Sequence, residues 1–205
     1  MSTEAVIAFT LVIVGYLSGA VPWGIVLGKV VQGGDLRSHG SGSTGATNAL
    51  RVLGWRVSAA VFLLDFFKGM LPVVLGRVLG VDWWWIGIAG VAAVVGHCWS
   101  PFIKFRGGKG MATGGGAVVA MFPWLVLIGL LTAAVTLLTR YVSLASILTA
   151  IGGVLIVLLA AWIGDLPWQA VLATLTISSI IVFKHHENIR RLLNGTERRF
   201  GERAA

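Results

Sequence analysis

Six apolar runs, at about 5–28, 57–79, 83–103, 111–139, 142–163 and 167–183, leave only short loops between them. Roughly 20 apolar residues carry an α-helix across the hydrocarbon of a bilayer. In that hydrocarbon every backbone N–H and C=O must be satisfied inside the protein, which a helix does within its own length. The runs therefore predict an all-α integral membrane protein: one membrane-embedded domain over 1–205 with no separate soluble domain. Composition agrees, because a chain 57% hydrophobic and 12% charged is too apolar for a soluble domain of this size. The first run is full length, carries Glu4 and lacks a basic segment before it, so it reads as a retained signal anchor. A single cysteine, Cys98, excludes an internal disulfide, and its apolar neighbours suggest a buried small residue.

Charge then sets the orientation. The formal net charge is +8, and the cations cluster beside the runs, as the positive-inside rule requires. A nucleic-acid partner is a poor explanation, because no basic soluble module exists. Lys29, Arg37, Arg51 and Arg56 place the first long loop in the cytoplasm, and Lys104, Arg106 and Lys109 do the same for the loop near 106. Lys184, Arg190, Arg191, Arg198, Arg199 and Arg203 mark the tail, 184–205, as cytoplasmic too. Six simple crossings put that tail on the wrong side. The run 111–139 supplies the correction: it is too long for one comfortable span and contains Gly114-Gly115-Gly116 and Phe122-Pro123-Trp124. A proline there ends one short helix and starts another, about 109–121 and 123–139. A bundle of seven transmembrane helices, some short or broken, then has its N-terminus outside and its C-terminus cytoplasmic. Asp165 faces outward, and only Arg77 is left unexplained.

Three polar segments fall on the cytoplasmic side. In 35–51, glycines alternate with hydroxyl residues, and a short helix begins near Gly45. Ser41, Gly42, Thr47, Asn48 and Arg51 there offer hydroxyls, free amides and a guanidinium suited to a phosphate. The plain alternative is a flexible linker. The spacing is not that of a Walker A loop. In 96–110, His97 precedes Gly107-Gly108-Lys109-Gly110, a turn whose amides and ammonium can close on an anion. Lys104 and Arg106 suit simple membrane-flank charges equally well. In 184–197, His185 and Asn188 lie three apart on one helix face, and Glu187 and Arg191 are spaced to pair. The alternative is an amphipathic tail on anionic lipid, expected of Arg198, Arg199 and Arg203. Adjacent His185 and His186 diverge on a helix, and no metal site is expected.

Asp65 and Lys68, three apart inside the second run, are spaced for an ion pair facing the bundle interior, either structural or functional. The tryptophans sit mostly near run ends, as an interfacial belt does. No Ser-His-Asp or Cys-His pair stands out, so any chemistry rests on positioning and charge stabilisation.

These segments resemble the bacterial acyl-phosphate-dependent glycerol-3-phosphate acyltransferases, the PlsY family, over almost the whole chain. The likeness is carried by Gly40-Ser41-Gly42, Gly45-Ala46-Thr47-Asn48 and Arg51. It continues through Asp65-Phe66-Phe67-Lys68-Gly69, Gly96-His97, Phe105 to Gly110, Arg140 to Ser146, and the run from His185 to Leu193. The resemblance implies transfer of a fatty acyl group from acyl phosphate to the 1-hydroxyl of glycerol 3-phosphate, giving lysophosphatidate and phosphate. It implies a seven-helix fold in the bacterial inner membrane with its site toward the cytoplasm, and no cofactor. A soluble enzyme that makes acyl phosphate, PlsX, is the partner it suggests. Carried over by position, Lys109, His185, Asn188 and Arg51 are the catalytic candidates. Ser41, Gly42, Thr47, Asn48, Gly107, Gly108, Gly110 and His97 are the substrate-binding ones. Either His185 or the donor phosphate accepts the hydroxyl proton. Ser43, where relatives carry Asn, and His186, where they carry Arg, depart from the family pattern.

Two other classes compete. A transporter for a phosphorylated solute also uses broken helices and glycine-lined anion sites, but here the polar motifs share one side and no inverted repeat is visible. A binder of acidic headgroups fits the basic tail and has no use for the glycine turns.

Overall fold

The computed structural model describes residues 2–164 and 166–202, so Asp165 and Arg203, both used in the charge argument, lie outside the described residues. All regular structure among the described residues is helical. The first apolar run becomes two helices, α1 (Thr3–Ala20) and α2 (Trp23–Gln32). The break falls at Val21-Pro22, where proline cannot donate to the helix ladder. Two side chains take carbonyls at that break. Ser100 Oγ donates to Ala20 O at 2.6 Å, and Lys68 Nζ donates to Val21 O at 2.8 Å. The expectation of one helix over 5–28 is corrected accordingly.

After a loop come α3 (Ala46–Leu53) and α4 (Trp55–Val78), then α5 (Trp83–Cys98), whose first turn is capped by Asp82 through Trp84 N–H at 2.8 Å. The long run 111–139 divides as expected. α6 (Met111–Met121) stops at Phe122, a short 3-10 turn Pro123–Leu127 follows, and α7 (Ile128–Thr139) completes it. α6 begins at Met111 rather than at 109, because Gly110 has φ +80° and cannot be helical. α8 (Val142–Ile163), α9 (Trp168–Lys184) and the short α10 (His186–Leu193) close the described chain.

Among the described residues four segments are long and apolar enough to cross a membrane: Thr3–Gln32, Trp55–Val78, Trp83–Ile103 and Val142–Ile163. Met111–Met121, Pro123–Thr139 and Trp168–Lys184 are shorter apolar helices. Arg77, the cation that topology left unexplained, donates to Ala120 O at 2.6 Å and so satisfies a carbonyl at the C-terminal end of α6.

Lipid tails are as apolar as leucine, so the helices are held by close packing rather than by escape from water. α1 runs along α5 with Gly15 and Gly19 against Ala89 and Ala93, and α4 meets α6 at Gly69–Thr113 and Gly116–Phe66. A methyl added at Gly19, Gly69 or Gly116 would overlap the partner backbone. Val73, Val94, Val157 and Ile177 fill the centre, while Phe9, Ile13, Leu130, Leu137 and Leu155 remain exposed on the outer faces. Trp23, Trp55, Trp83 and Trp168 each open a helix and Trp99 closes one, which is the placement expected of interfacial anchors.

Candidate active site

Three chain segments meet at one end of the bundle. The first is the loop 33–45 with the start of α3. Its organiser is Asn48, which is 1% exposed. Asn48 Nδ2 donates to Leu36 O, His39 O and Ser43 O at 2.9–3.1 Å, and its Oδ1 accepts from Ser41 N–H at 2.8 Å. Both Nδ2 hydrogens are taken by these carbonyls, so Asn48 has no donor left for a phosphate, and the expectation that it binds phosphate is corrected: it shapes the loop. Gly40, with φ +64°, lies where any side chain would collide with Asn48 Oδ1. Arg37 pairs with Asp35 at 2.7 Å and reaches Ile103 O at 3.4 Å, tying this loop to the next.

The second segment follows α5. Lys104 and Phe105 both adopt left-handed backbone, φ +56° and +60°, and reverse the chain against the end of α5. Gly107 N–H then donates to Cys98 O and Gly108 N–H to His97 O, both at 3.2 Å. These amides satisfy the C-terminal carbonyls of α5, so the expected use of the Gly107 and Gly108 amides on phosphate is corrected. Their glycine character has another cause, since a side chain at Gly107 would meet His97 O and one at Gly108 would meet the His97 ring. The free donors come one turn later. α6 has no side-chain cap, and its first-turn residues Met111 and Ala112 line the cavity described below.

The third segment joins α9 to α10. His185 is 3% exposed and places Nδ1 at 2.7 Å from Ile181 O. A carbonyl can only accept, so Nδ1 carries the proton and Nε2 keeps a lone pair. Burial, with the Lys109 charge adding to it, pulls the His185 pKa down to about 4, leaving a neutral imidazole at pH 7. Asn188 Oδ1 accepts from Lys109 Nζ, while Asn188 Nδ2 donates to Glu197 Oε1 at 2.6 Å. Glu197 also accepts from Ser143 Oγ at 2.7 Å and from Arg191 Nε at 2.7 Å. Burial opposes its ionisation, but hydrogen bonds from Arg191, Asn188 and Ser143 hold its carboxyl below the usual range. The expected Glu187–Arg191 pair is present at 3.8 Å, secondary to the closer Glu197 contact.

A cavity of about 360 Å³ opens between these segments. It gathers Lys109, His185, Asn188, Arg51, Ser41, Thr47, Asn48, Gly110 and His97, whereas Gly42, Gly107 and Gly108 do not line it. Ser41 is exposed at the rim. Arg51 makes no ion pair or hydrogen bond among the described residues, and burial, followed by the nearby Arg198 charge, lowers its pKa without neutralising it. Burial lowers the Lys109 pKa to about 8, so the ammonium is mostly charged at pH 7. Four cations, Lys109, Arg51, Arg198 and the Glu197-paired Arg191, and an open helix N-terminus border the same space.

Arg198, exposed, also borders the cavity, a place that the amphipathic-tail expectation did not give it. The tail folds back onto the start of α8. Phe200 N–H donates to Arg140 O at 2.6 Å, and Arg199 lies over the Tyr141 ring at 5.7 Å. Glu197 and Ser143 are the site residues that sequence reasoning left without a role. Glu197 sits in the third segment and Ser143 just after Arg140, and only the fold-back of the tail joins them. Asp65 and Lys68 pair at 2.6 Å, both buried, with Asp65 at the inner wall of the cavity. Cys98 is fully buried and does not line the cavity. Among the described residues no cluster of His, Cys, Asp and Glu is arranged to hold a metal ion.

A family model described as glycerol-3-phosphate acyltransferase matches residues 9–195. The chain is 42% identical over 195 residues to the glycerol-3-phosphate acyltransferase of Rubrobacter xylanophilus, covering 95% of this chain and 96% of that one. To the Thermoanaerobacter pseudethanolicus enzyme of the same description it is 44% identical over 192 residues, 93% and 94% covered. Among solved structures it is similar to PlsY, described as an integral membrane glycerol 3-phosphate acyltransferase. The glycerol 3-phosphate form gives a TM-score of 0.89 at 41% identity, covering 95% of this chain and 96% of that one. The lysophosphatidic acid form gives a TM-score of 0.86 at 39% identity, with 95% of each chain covered.

Proposed function

The chain belongs to the glycerol-3-phosphate acyltransferase family, and from that premise we propose that it transfers a fatty acyl group from acyl phosphate to the 1-hydroxyl of sn-glycerol 3-phosphate. The products are 1-acyl-sn-glycerol 3-phosphate and inorganic phosphate, and the reaction is the entry step of bacterial phospholipid synthesis. In this proposal the chain is one domain of seven crossings in the bacterial inner membrane, N-terminus outside and C-terminus inside, with the cavity open to the cytoplasm. A soluble producer of acyl phosphate, of the PlsX kind, supplies the donor.

The observation that carries this reading is the convergence of Lys109, Arg51 and the open start of α6 on a cavity that also holds a neutral His185. The two substrates each bring a phosphate, and the cavity offers cationic donors enough for both. The acceptor hydroxyl oxygen attacks the acyl carbonyl carbon, the carbon–oxygen bond to phosphate breaks, and phosphate leaves. The hydroxyl proton passes to His185 Nε2 or to a phosphate oxygen of the donor. Acyl phosphate is already activated, so the reaction needs no enzymic nucleophile, in keeping with the burial of Cys98 away from the cavity. Lys109 and the α6 amides offset the negative charge that develops on the leaving group.

Incubation of purified protein with palmitoyl phosphate and glycerol 3-phosphate, followed by mass spectrometry, tests the reading. Lysophosphatidate formed from acyl phosphate and not from palmitoyl-CoA is expected. Product from palmitoyl-CoA alone overturns the donor assignment. Intact protein gaining an acyl mass from donor alone overturns direct attack.

A further inference from the structure

His97 has no role in the reaction above, yet it holds the Lys109 segment from both ends. Its peptide carbonyl accepts the Gly108 N–H at 3.2 Å. Its ring Nδ1 lies 3.1 Å from Thr113 Oγ1, in the first turn of α6. Its Nε2 lies against Gly108, where a side-chain carbon would overlap it. Between Gly108 and Thr113 stand Lys109, Gly110 and the start of α6, which are the elements proposed to hold phosphate. Asp65 Oδ1 lies nearby, 3.7 Å from Nδ1 and beyond hydrogen-bond range, and pairs with Lys68 Nζ at 2.6 Å. Lys68 in turn holds Val21 O at the break between α1 and α2.

We propose that His97 is a positioning residue for the anion site: it fixes the Gly108-to-Thr113 segment so that the Lys109 ammonium and the first-turn amides of α6 meet one phosphate together. A lysine flanked by glycines has a backbone and a four-carbon side chain free to wander, and that freedom must be lost before an ammonium and a helix end can act on one anion. The clamp removes part of it in advance, as preorganisation does. Thr113 is the partner through which the ring acts. The inference rests on the reading of the cavity as the phosphate site.

The geometry makes a specific demand on substitutions. Asparagine places a polar atom where Nδ1 stands, and glutamine places one where Nε2 stands. His97→Asn therefore keeps the Thr113 contact, whereas His97→Gln and His97→Leu lose it. Thr113→Val removes the other half of the same bond with little change of volume. Steady-state kinetics on these variants, beside wild type, supply the test, with thermal midpoints measured on the same samples. We expect Thr113→Val to raise KM for a phosphate substrate and lower kcat/KM by about 3–10-fold, the size of one hydrogen bond. His97→Leu should lose more, and His97→Asn should stay within about 3-fold of wild type. Recovery by Gln but not Asn overturns the proposal, as does a Thr113→Val enzyme with unchanged KM and kcat. Activity that falls only in step with the thermal midpoint, at unchanged KM, also overturns it. Calorimetric binding of inorganic phosphate to the same variants gives the same ordering without turnover, so a wild-type protein lacking activity counts against the proposed reaction while the clamp is still tested.

Discussion

The Glu197 carboxylate holds the Asn188 amide: Asn188 Nδ2 donates to Glu197 Oε1 at 2.6 Å, which turns Asn188 Oδ1 toward the Lys109 ammonium. An amide can point either way, and this bond selects the orientation that receives Lys109. Glu197 also takes Ser143 and Arg191, so one carboxylate joins the tail, α8 and α10 to the site.

Removing that carboxylate should release three donors at once. Glu197→Ala is expected to lower kcat/KM by more than about tenfold, since hydrogen bonds to charged groups are individually worth about 1.5–3 kcal/mol. Glu197→Gln, which keeps one acceptor oxygen, should fall between. Kinetics of the two variants check this, and equal activity in Glu197→Ala and wild type would show that Asn188 is held by other means.

Arg51 is half-buried and has no partner among the described residues, which is costly unless an anion completes it. Arg51→Ala should lower kcat/KM by about 10–100-fold, mainly by raising KM for a phosphate substrate. Arg51→Lys should recover part of the loss, because it restores charge without the planar fork. Substrate-saturation curves for donor and acceptor separate these effects.

Asn48 carries a different expectation, because its amide serves the loop rather than a ligand. Asn48→Ala leaves a buried loop without its organiser and should cost about 2–4 kcal/mol of stability. A thermal midpoint lowered together with activity is the expected result. Lost activity at an unchanged midpoint would return Asn48 to the role of a ligand.

The pH profile follows from Lys109. Its pKa is lowered to about 8, chiefly by burial. The charged form is needed, so kcat/KM should hold below about pH 8 and fall about tenfold per unit above it. A bound phosphate favours the ammonium, which moves the corresponding limb of kcat to higher pH. Lys109→Arg, charged at every accessible pH, should lack that alkaline limb whatever its absolute rate. His185, with its pKa lowered to about 4, stays neutral through pH 5–7 and adds no limb there. Rates measured from pH 5 to 10 check both statements.

Much of this site was legible in the residues. Lys109, Arg51, His185 and Asn188 stand in the three polar segments that spacing and composition single out, their catalytic roles come from the family resemblance, and all four line one cavity. The Pro123 division of the run 111–139 was readable because proline acts locally. What could not be read depended on distant partners. Gly107 and Gly108 look like phosphate amides until the left-handed turn at Lys104-Phe105 sets them against Cys98 and His97. Asn48 looks like a ligand until the loop closes around it. Glu197 acquires its place only when the tail folds back onto Ser143, 54 residues earlier. The break at Val21-Pro22 was hidden because the run stays apolar on both sides of it.

The most direct test is acceptor-dependent phosphate release from palmitoyl phosphate by wild type and Lys109→Ala, both purified and shown to be folded. Release with stoichiometric lysophosphatidate in wild type, requiring glycerol 3-phosphate, is expected, with a loss of at least about 100-fold in the variant, the scale of removing one transition-state charge donor. Release at an undiminished rate in Lys109→Ala, or none in folded wild type, would contradict it.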